Sequence, residues 1–330
     1  MFKNLAANMR IGILMQRVPD PDAIGAAAGL AWLLGQTHDA ICEFLYRGTV
    51  SHPQTRAMLN VLGITCKQVD SLEQDDYDIY MIVDSTPDGV CFPNIKYQYV
   101  VDHHKVEYPD DVEVRNKSVG SCASLVYELI LEAEQDLIDP IAATALYLGL
   151  YTDTDGLRGP GTTGLDFEAF QYLATKADHS KLKRIFDFPI PTHQFDLEAR
   201  AIAAREVSDS KLVTCLGEVP AGHRDVMPVV ADSLMRMSGV DTVVVFAFIG
   251  QHVDASVRSS DSTLDVDAFC KETFGQEFHG TAGSKQGGIG GGRAPLGIAV
   301  TDEDEAQDRA EALAGFEARL KKRIIRKLGR

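Results

Sequence analysis

YQYVVDHHK, residues 97–105, decides how the rest of the chain is read. Tyr97–Val101 is an apolar run of β-branched and aromatic residues, the pattern of a strand buried on both faces of a parallel sheet. Asp102, His103 and His104 end it abruptly. Two adjacent histidines and an aspartate beyond a buried strand are costly without a role, and imidazole is a good ligand for Mn²⁺ and Zn²⁺. A structural histidine pair is the competing reading.

Working outward, the same arrangement recurs. DIYMIVD (78–84) is a second apolar run, ending on Asp84. IGILM (11–15) reads as a strand and leads to Asp20 and Asp22 in V-P-D-P-D-A-I-G (18–25). Asp153 follows the apolar run AATALYLGLY (142–151), in a Thr-Asp-Thr-Asp-Gly turn. Taken alone, each of these aspartates reads as a helix cap or a solvated turn residue. Together they pose a problem, because carboxylates a few ångströms apart repel and raise one another's pKa. A shared counter-charge resolves it, and a pair of divalent ions is the obvious candidate. In open α/β sheets such groups meet beyond the carboxyl ends of the strands.

The surrounding pattern supplies that sheet. Helical stretches at Asp22–Gly35, Pro53–Leu62, Gly120–Glu134 and Asp139–Leu150 alternate with strands, including ICEFL (41–45). This alternation predicts an α/β fold, a doubly wound parallel sheet over 1–185. A helical linker follows at 186–210, punctuated by Pro189 and Pro191. A smaller mixed α/β domain occupies 211–330, with the active cleft expected between the two domains. Its parts are a strand KLVTCLG (211–217), a helix over about 225–237 and a hairpin, TVVVFAFIGQHVDASVRS (242–259), turning at Gly250-Gln251. A helix LDVDAFCKETFG (264–275), a glycine loop GSKQGGIGGGRAPLG (283–297) and a charged helix (302–328) complete it.

Composition narrows the partners. The 330 residues carry a formal charge of −16, which opposes a grip on long nucleic acid. A short nucleotide or other small phosphate ester is favoured, held locally by metals and by cations such as Lys105, Arg158, Arg258, Lys285 and Arg293. The basic end KKRIIRKLGR (321–330) reads as a cationic helix terminus. No apolar run approaches the roughly 20 residues that span a membrane. Six scattered cysteines without a C-x-x-C pair suit a reduced, cytoplasmic protein. A second copy of the chain is a candidate partner, as a homodimer.

The four acidic motifs together resemble the DHH phosphoesterase superfamily. In the second half, V-R-S (257–259), L-D-V-D (264–267) and G-G-G-R (290–293) look like the DHH-associated domain of its nanoRNase, RecJ-like and oligonucleotide-phosphatase branch. The resemblance implies one ion on Gln16, Asp20 and Asp84, and another on Asp22, Asp84, His103 and Asp153. It implies that His104 faces the substrate phosphate, with Asp102 orienting the histidines. Arg258, Ser259, Gly290, Gly291, Gly292 and Arg293 would hold the substrate. The implied activity is Mn²⁺-dependent hydrolysis, by metal-activated water, of phosphodiester or terminal phosphate bonds in short nucleotides: nanoRNA, a linear dinucleotide or 3′-phosphoadenosine 5′-phosphate. One or two ions are expected, with Mg²⁺ as a second candidate metal.

Three positions depart from the family pattern. Gln16 replaces a histidine, and a neutral amide is a weaker ligand, so the first ion should be loosely held. Arg293 replaces a histidine in the glycine loop, supplying a permanent cation that cannot titrate near neutral pH. Asp155 replaces a common glycine. These departures keep two alternatives open: a nucleotide-binding regulatory protein with a partial metal site, and a pyrophosphatase or polyphosphatase.

Overall fold

The computed structural model describes residues 1–50, 52–135, 137–276, 281–285, 288–296 and 306–329. The chain divides into two compact units, Met1–Pro189 and Ile190–Arg330.

The first unit is built on six strands: β1 (Arg10–Leu14), β2 (Ile41–Tyr46), β3 (Cys66–Gln68), β4 (Ile79–Val83), β5 (Tyr99–Asp102) and β6 (Glu113–Asn116). All pair in parallel, in the order β3-β2-β1-β4-β5-β6. The chain winds outward from β1 to β3, then returns to lay β4 on the other side of β1. The order therefore reverses between β1 and β4, and loops diverge there to leave a crevice. The central strands are the apolar ones, and every residue of β4 and β5 is buried. The helices are α1 (Pro21–His38), α2 (Pro53–Leu62), α3 (Cys122–Glu132), α4 (Pro140–Asp153), α5 (Gly164–Lys176) and α6 (His179–Phe186). Helices α1, α3 and α4 bury Ile11, Ile13, Met81 and Val83 on one sheet face. Tyr77, Val90, Phe92 and Ile95 cover Leu14, Tyr80 and Ile82 on the other.

Two glycines set the distance between α1 and α4. A Cβ at Gly25 would lie 2.4 Å from the Ala145 carbonyl oxygen, and one at Gly149 would lie 2.9 Å from Asp22 Cα. The first turn of α1 can therefore touch the last turn of α4.

The second unit begins with α7 (Thr192–Ala203), β7 (Glu206–Ser208), β8 (Lys211–Glu218) and α8 (Val226–Leu234). It continues through β9 (Thr242–Ile249), β10 (His252–Ser259), α9 (Val266–Cys270), β11 (Thr281–Lys285), β12 (Ile289–Pro295) and α10 (Ala306–Leu328). The sheet runs β11-β12-β10-β9-β8-β7, with β8 and β9 parallel and the other pairs antiparallel. Gly250-Gln251 turns the β9–β10 hairpin, with Gly250 at φ +61°.

Several local expectations are corrected. Asp153 is the last residue of α4, not part of a turn. The glycine-rich stretch is not a loop where it is described: Gly290–Gly292 lie within β12, paired on both sides. Their bareness serves packing, since a Cβ at Gly290 would meet Val266 at 2.6 Å and one at Gly292 would meet Phe274 at 2.6 Å. The helix expected over 264–275 is the short α9, followed by a π-helical turn at Lys271–Gln276. Positions 286, 287, 297 and 302–305 of the expected loop and charged helix lie outside the described residues, as does the Lys285 side chain. Among the described residues no helix is long and apolar enough to cross a membrane.

Candidate metal centre

The β1–α1 loop, the ends of β4 and β5, and the last turn of α4 converge at the crevice beside β1 and β4. Asp20 caps α1: its Oδ1 accepts the N–H groups of Asp22 (3.1 Å) and Ala23 (3.0 Å). Its Oδ2 accepts Gln16 Nε2 at 2.7 Å. Asp22 is buried, and its two oxygens accept the Cys122 and Ala123 N–H groups at 2.6 and 3.0 Å. Those donors open α3, so the positive end of a helix supports the Asp22 charge. Asp84 takes a left-handed backbone, φ +49°, with its N–H donated to Val101 O at 3.0 Å. It is 3% exposed, and its Oδ1 has no hydrogen-bond partner.

The histidines are held differently from one another. His103 Nδ1 lies 3.0 Å from the Val119 carbonyl oxygen, so Nδ1 is the protonated nitrogen and Nε2 faces inward. That Nε2 stands 3.4 Å from Asp84 Oδ1 and 3.4 Å from Asp153 Oδ2. His104 Nδ1 donates to Asp102 Oδ1 at 2.7 Å, and the Tyr108 hydroxyl donates to Asp102 Oδ2 at 2.5 Å. Asp102 therefore orients His104 alone, a correction to its expected hold on both rings. A backbone carbonyl orients His103.

The electrostatics express crowding. Burial, then the neighbouring carboxylates, raises the pKa of Asp22 and Asp84 well above the usual range. Burial likewise pushes Asp153 to about 6, with His103 opposing and Asp20 adding to the rise. Burial opposes charge on His103, but Asp84, Asp22 and Asp153 outweigh it and lift its pKa to about 10. These groups want a cation among them.

Two sets of three residues bring one ligand atom each within 4.8 Å of one another: Asp84 with His103 and His104, and Asp22 with His103 and Asp153. His103 belongs to both. The orphaned Asp84 oxygen, and the inward His103 nitrogen standing between two carboxylates, fit a divalent ion with mixed oxygen and nitrogen donors. Asp20 belongs to neither set. Above Asp84 and His104 opens a pocket of about 280 Å³, lined also by Gln16, Arg17, Ser85 and Thr86.

The expected substrate residues lie in the second unit, in and beside a cleft of about 430 Å³. Arg258, Gly290 and Gly291 line it; Ser259, Gly292 and Arg293 do not. Ser259 bonds Thr242. Several of the cations expected to hold the substrate are paired with carboxylates: Arg258 Nε with Asp232 at 2.5 Å, Arg293 Nε with Asp254 at 3.5 Å, and Arg158 with Asp155 at 2.8 Å. Tyr108, Val119 O, Arg17 and the first turn of α3 escaped the sequence reading. The α3 turn did carry a signal in Gly120-Ser121, where Ser121 Oγ caps the Ser124 N–H at 3.2 Å.

Residues 10–150 match the DHH family, N-terminal domain. An uncharacterized protein of Methanocaldococcus jannaschii is 31% identical over 312 residues, covering 91% of this chain and 61% of that protein. A probable manganese-dependent inorganic pyrophosphatase of Lactobacillus gasseri is 29% identical over 168 residues, 48% of this chain and 52% of the enzyme. The chain thus spans about half to three fifths of these relatives' length. An exopolyphosphatase-related protein from Bacteroides fragilis shares the fold, with a TM-score of 0.64 at 15% identity, over 96% of this chain and 95% of that one. Over residues 10–150 the chain therefore carries a DHH family N-terminal domain.

Proposed function

We propose that the protein is a divalent-metal-dependent phosphoesterase, with Mn²⁺ as the preferred ion. The observation that carries this reading is the buried, unbonded Asp84 Oδ1 beside a His103 nitrogen placed 3.4 Å from two carboxylates. Asp22, Asp84, His103 and Asp153 hold the ion. When bound, such an ion lowers the pKa of water and offsets charge on the phosphoryl group. Val119 O and the α3 N-terminus fix two of the ligands before any ion arrives. Asp102 holds His104 by Nδ1, leaving Nε2 to bind a phosphate oxygen or protonate the leaving alkoxide. The cleft beside Arg258, Gly290 and Gly291 serves substrate binding in the second unit.

The substrate we favour is a short nucleotide, cleaved at a phosphodiester or terminal phosphate. Inorganic pyrophosphate is the second reading, favoured by the relative from Lactobacillus gasseri. The purified chain should be assayed with Mn²⁺ on a dinucleotide, a pentanucleotide, 3′-phosphoadenosine 5′-phosphate and pyrophosphate. Turnover of one of them, abolished in Asp84→Asn, supports the reading. Binding without turnover of any overturns it in favour of a regulatory protein.

A further inference from the structure

Gln16 and Arg17 turn the mouth of the site into something other than a two-ion clamp. Asp20 caps the first turn of α1 through Oδ1, and its Oδ2 accepts Gln16 Nε2 at 2.7 Å. A carboxylate only accepts, so Gln16 must present its NH₂ there. An amide NH₂ aimed at the position a second cation would share with Asp20 disfavours that cation.

Arg17, the next residue, is held firmly at its backbone. Its N–H donates to Gly89 O at 3.1 Å and its carbonyl accepts the Gly48 N–H at 2.8 Å. Its stem runs over Gly48, where a Cβ would sit 2.9 Å from Arg17 Cγ. The side chain is exposed and lines the same pocket as Asp84 and His104. Among the described residues it makes no ion pair. An unpaired guanidinium beside a carboxylate cluster, in a chain of charge −16, is available to an anion.

We propose that the chain uses one resident divalent ion, on Asp22, Asp84, His103 and Asp153, and that Arg17 binds the substrate phosphate where a second ion would otherwise act. This rests on the phosphoesterase reading and specifies how its phosphate is held. A guanidinium supplies a permanent positive charge and two parallel donors, and it needs no ligand set.

Calorimetric titration of the full chain with Mn²⁺ should give one ion per chain, rising to two in Gln16→His. With Mn²⁺ saturating, inorganic phosphate should bind about tenfold or more weakly to Arg17→Ala, and less weakly to Arg17→Lys. Arg17→Ala should keep the Mn²⁺ stoichiometry, which reports an intact fold. Two ions per wild-type chain, or phosphate affinity unaltered in Arg17→Ala, overturns the proposal. Neither measurement needs turnover, so an absence of hydrolysis strikes the function above and leaves this result to be judged separately.

Discussion

Asp102 gives both oxygens away, one to the His104 ring and one to the Tyr108 hydroxyl. Burial works against its charge, yet those two bonds hold its carboxyl below the usual range. An amide at this position could turn its NH₂ toward His104 and reverse the tautomer that leaves Nε2 open. Asp102→Asn should therefore lower kcat by about 10- to 100-fold, the usual cost of losing such a support, while Mn²⁺ still binds. Steady-state kinetics beside Mn²⁺ calorimetry tests this; an unchanged kcat rejects the orienting role. At this scale sequence showed the acids and histidines, because charges after buried strands stand out. It could not show Val119 O, a backbone acceptor 16 residues from His103. A carbonyl is present at every residue and leaves no mark in composition.

Among elements, the contact of α1 with α4 matters most, because it brings Asp22 beside Asp153. Gly149 permits it, with Asp22 Cα and the Pro21 carbonyl oxygen at 2.9 and 3.0 Å from where a Cβ would be. Gly149→Leu should cost about 1–3 kcal/mol or more through overpacking and weaken Mn²⁺ binding at least about tenfold. Gly35→Ala is the control, since a Cβ there meets only Ala40 O at 3.9 Å. Thermal melts and Mn²⁺ titration read both, and equal behaviour of the two variants refutes the contact's importance. The buried strands were legible as apolar runs, whereas β6, EVRN, has no buried residue to announce it. Asp153 looked like a turn because threonines flank it. Thr152 Oγ1 in α4 bonds Leu148 O at 2.9 Å, and Thr154 Oγ1 at its C-cap bonds Leu150 O at 2.7 Å, so both hydroxyls are satisfied by the helix. The glycine stretch misled in the opposite sense: its lack of side chains signalled a loop, but close packing of β12 requires it.

For the molecule as a whole, alternation along the chain revealed a parallel sheet but not that β4 returns beside β1; that order depends on which strands bury both faces. The second unit has an acid-sensitive fastening of its own. Lys211 Nζ bonds Asp241 at 2.8 Å and Asp261 at 2.6 Å. Burial works against charge on Asp241, but Lys211 and two hydroxyls outweigh it and lower its pKa. The bond from Lys211 leads the causes that lower Asp261. Folded values below the unfolded ones mean the stabilisation is complete above about pH 4 and lost as pH falls through the folded values. Lys211→Met should therefore lower the melting temperature more at about pH 7 than at about pH 3. Equal losses at both would show that the lysine acts by packing alone.

The last turn of α4 has a consequence for biosynthesis. Asp153 is the most C-terminal of the acids around His103, and Asp22 the most N-terminal. A nascent polypeptide cannot present all of these donors until the ribosome has released residues through Asp153 and that helix has docked. On the metal assignment proposed above, loading with ion follows assembly of the sheet, and partial chains are denied a finished centre.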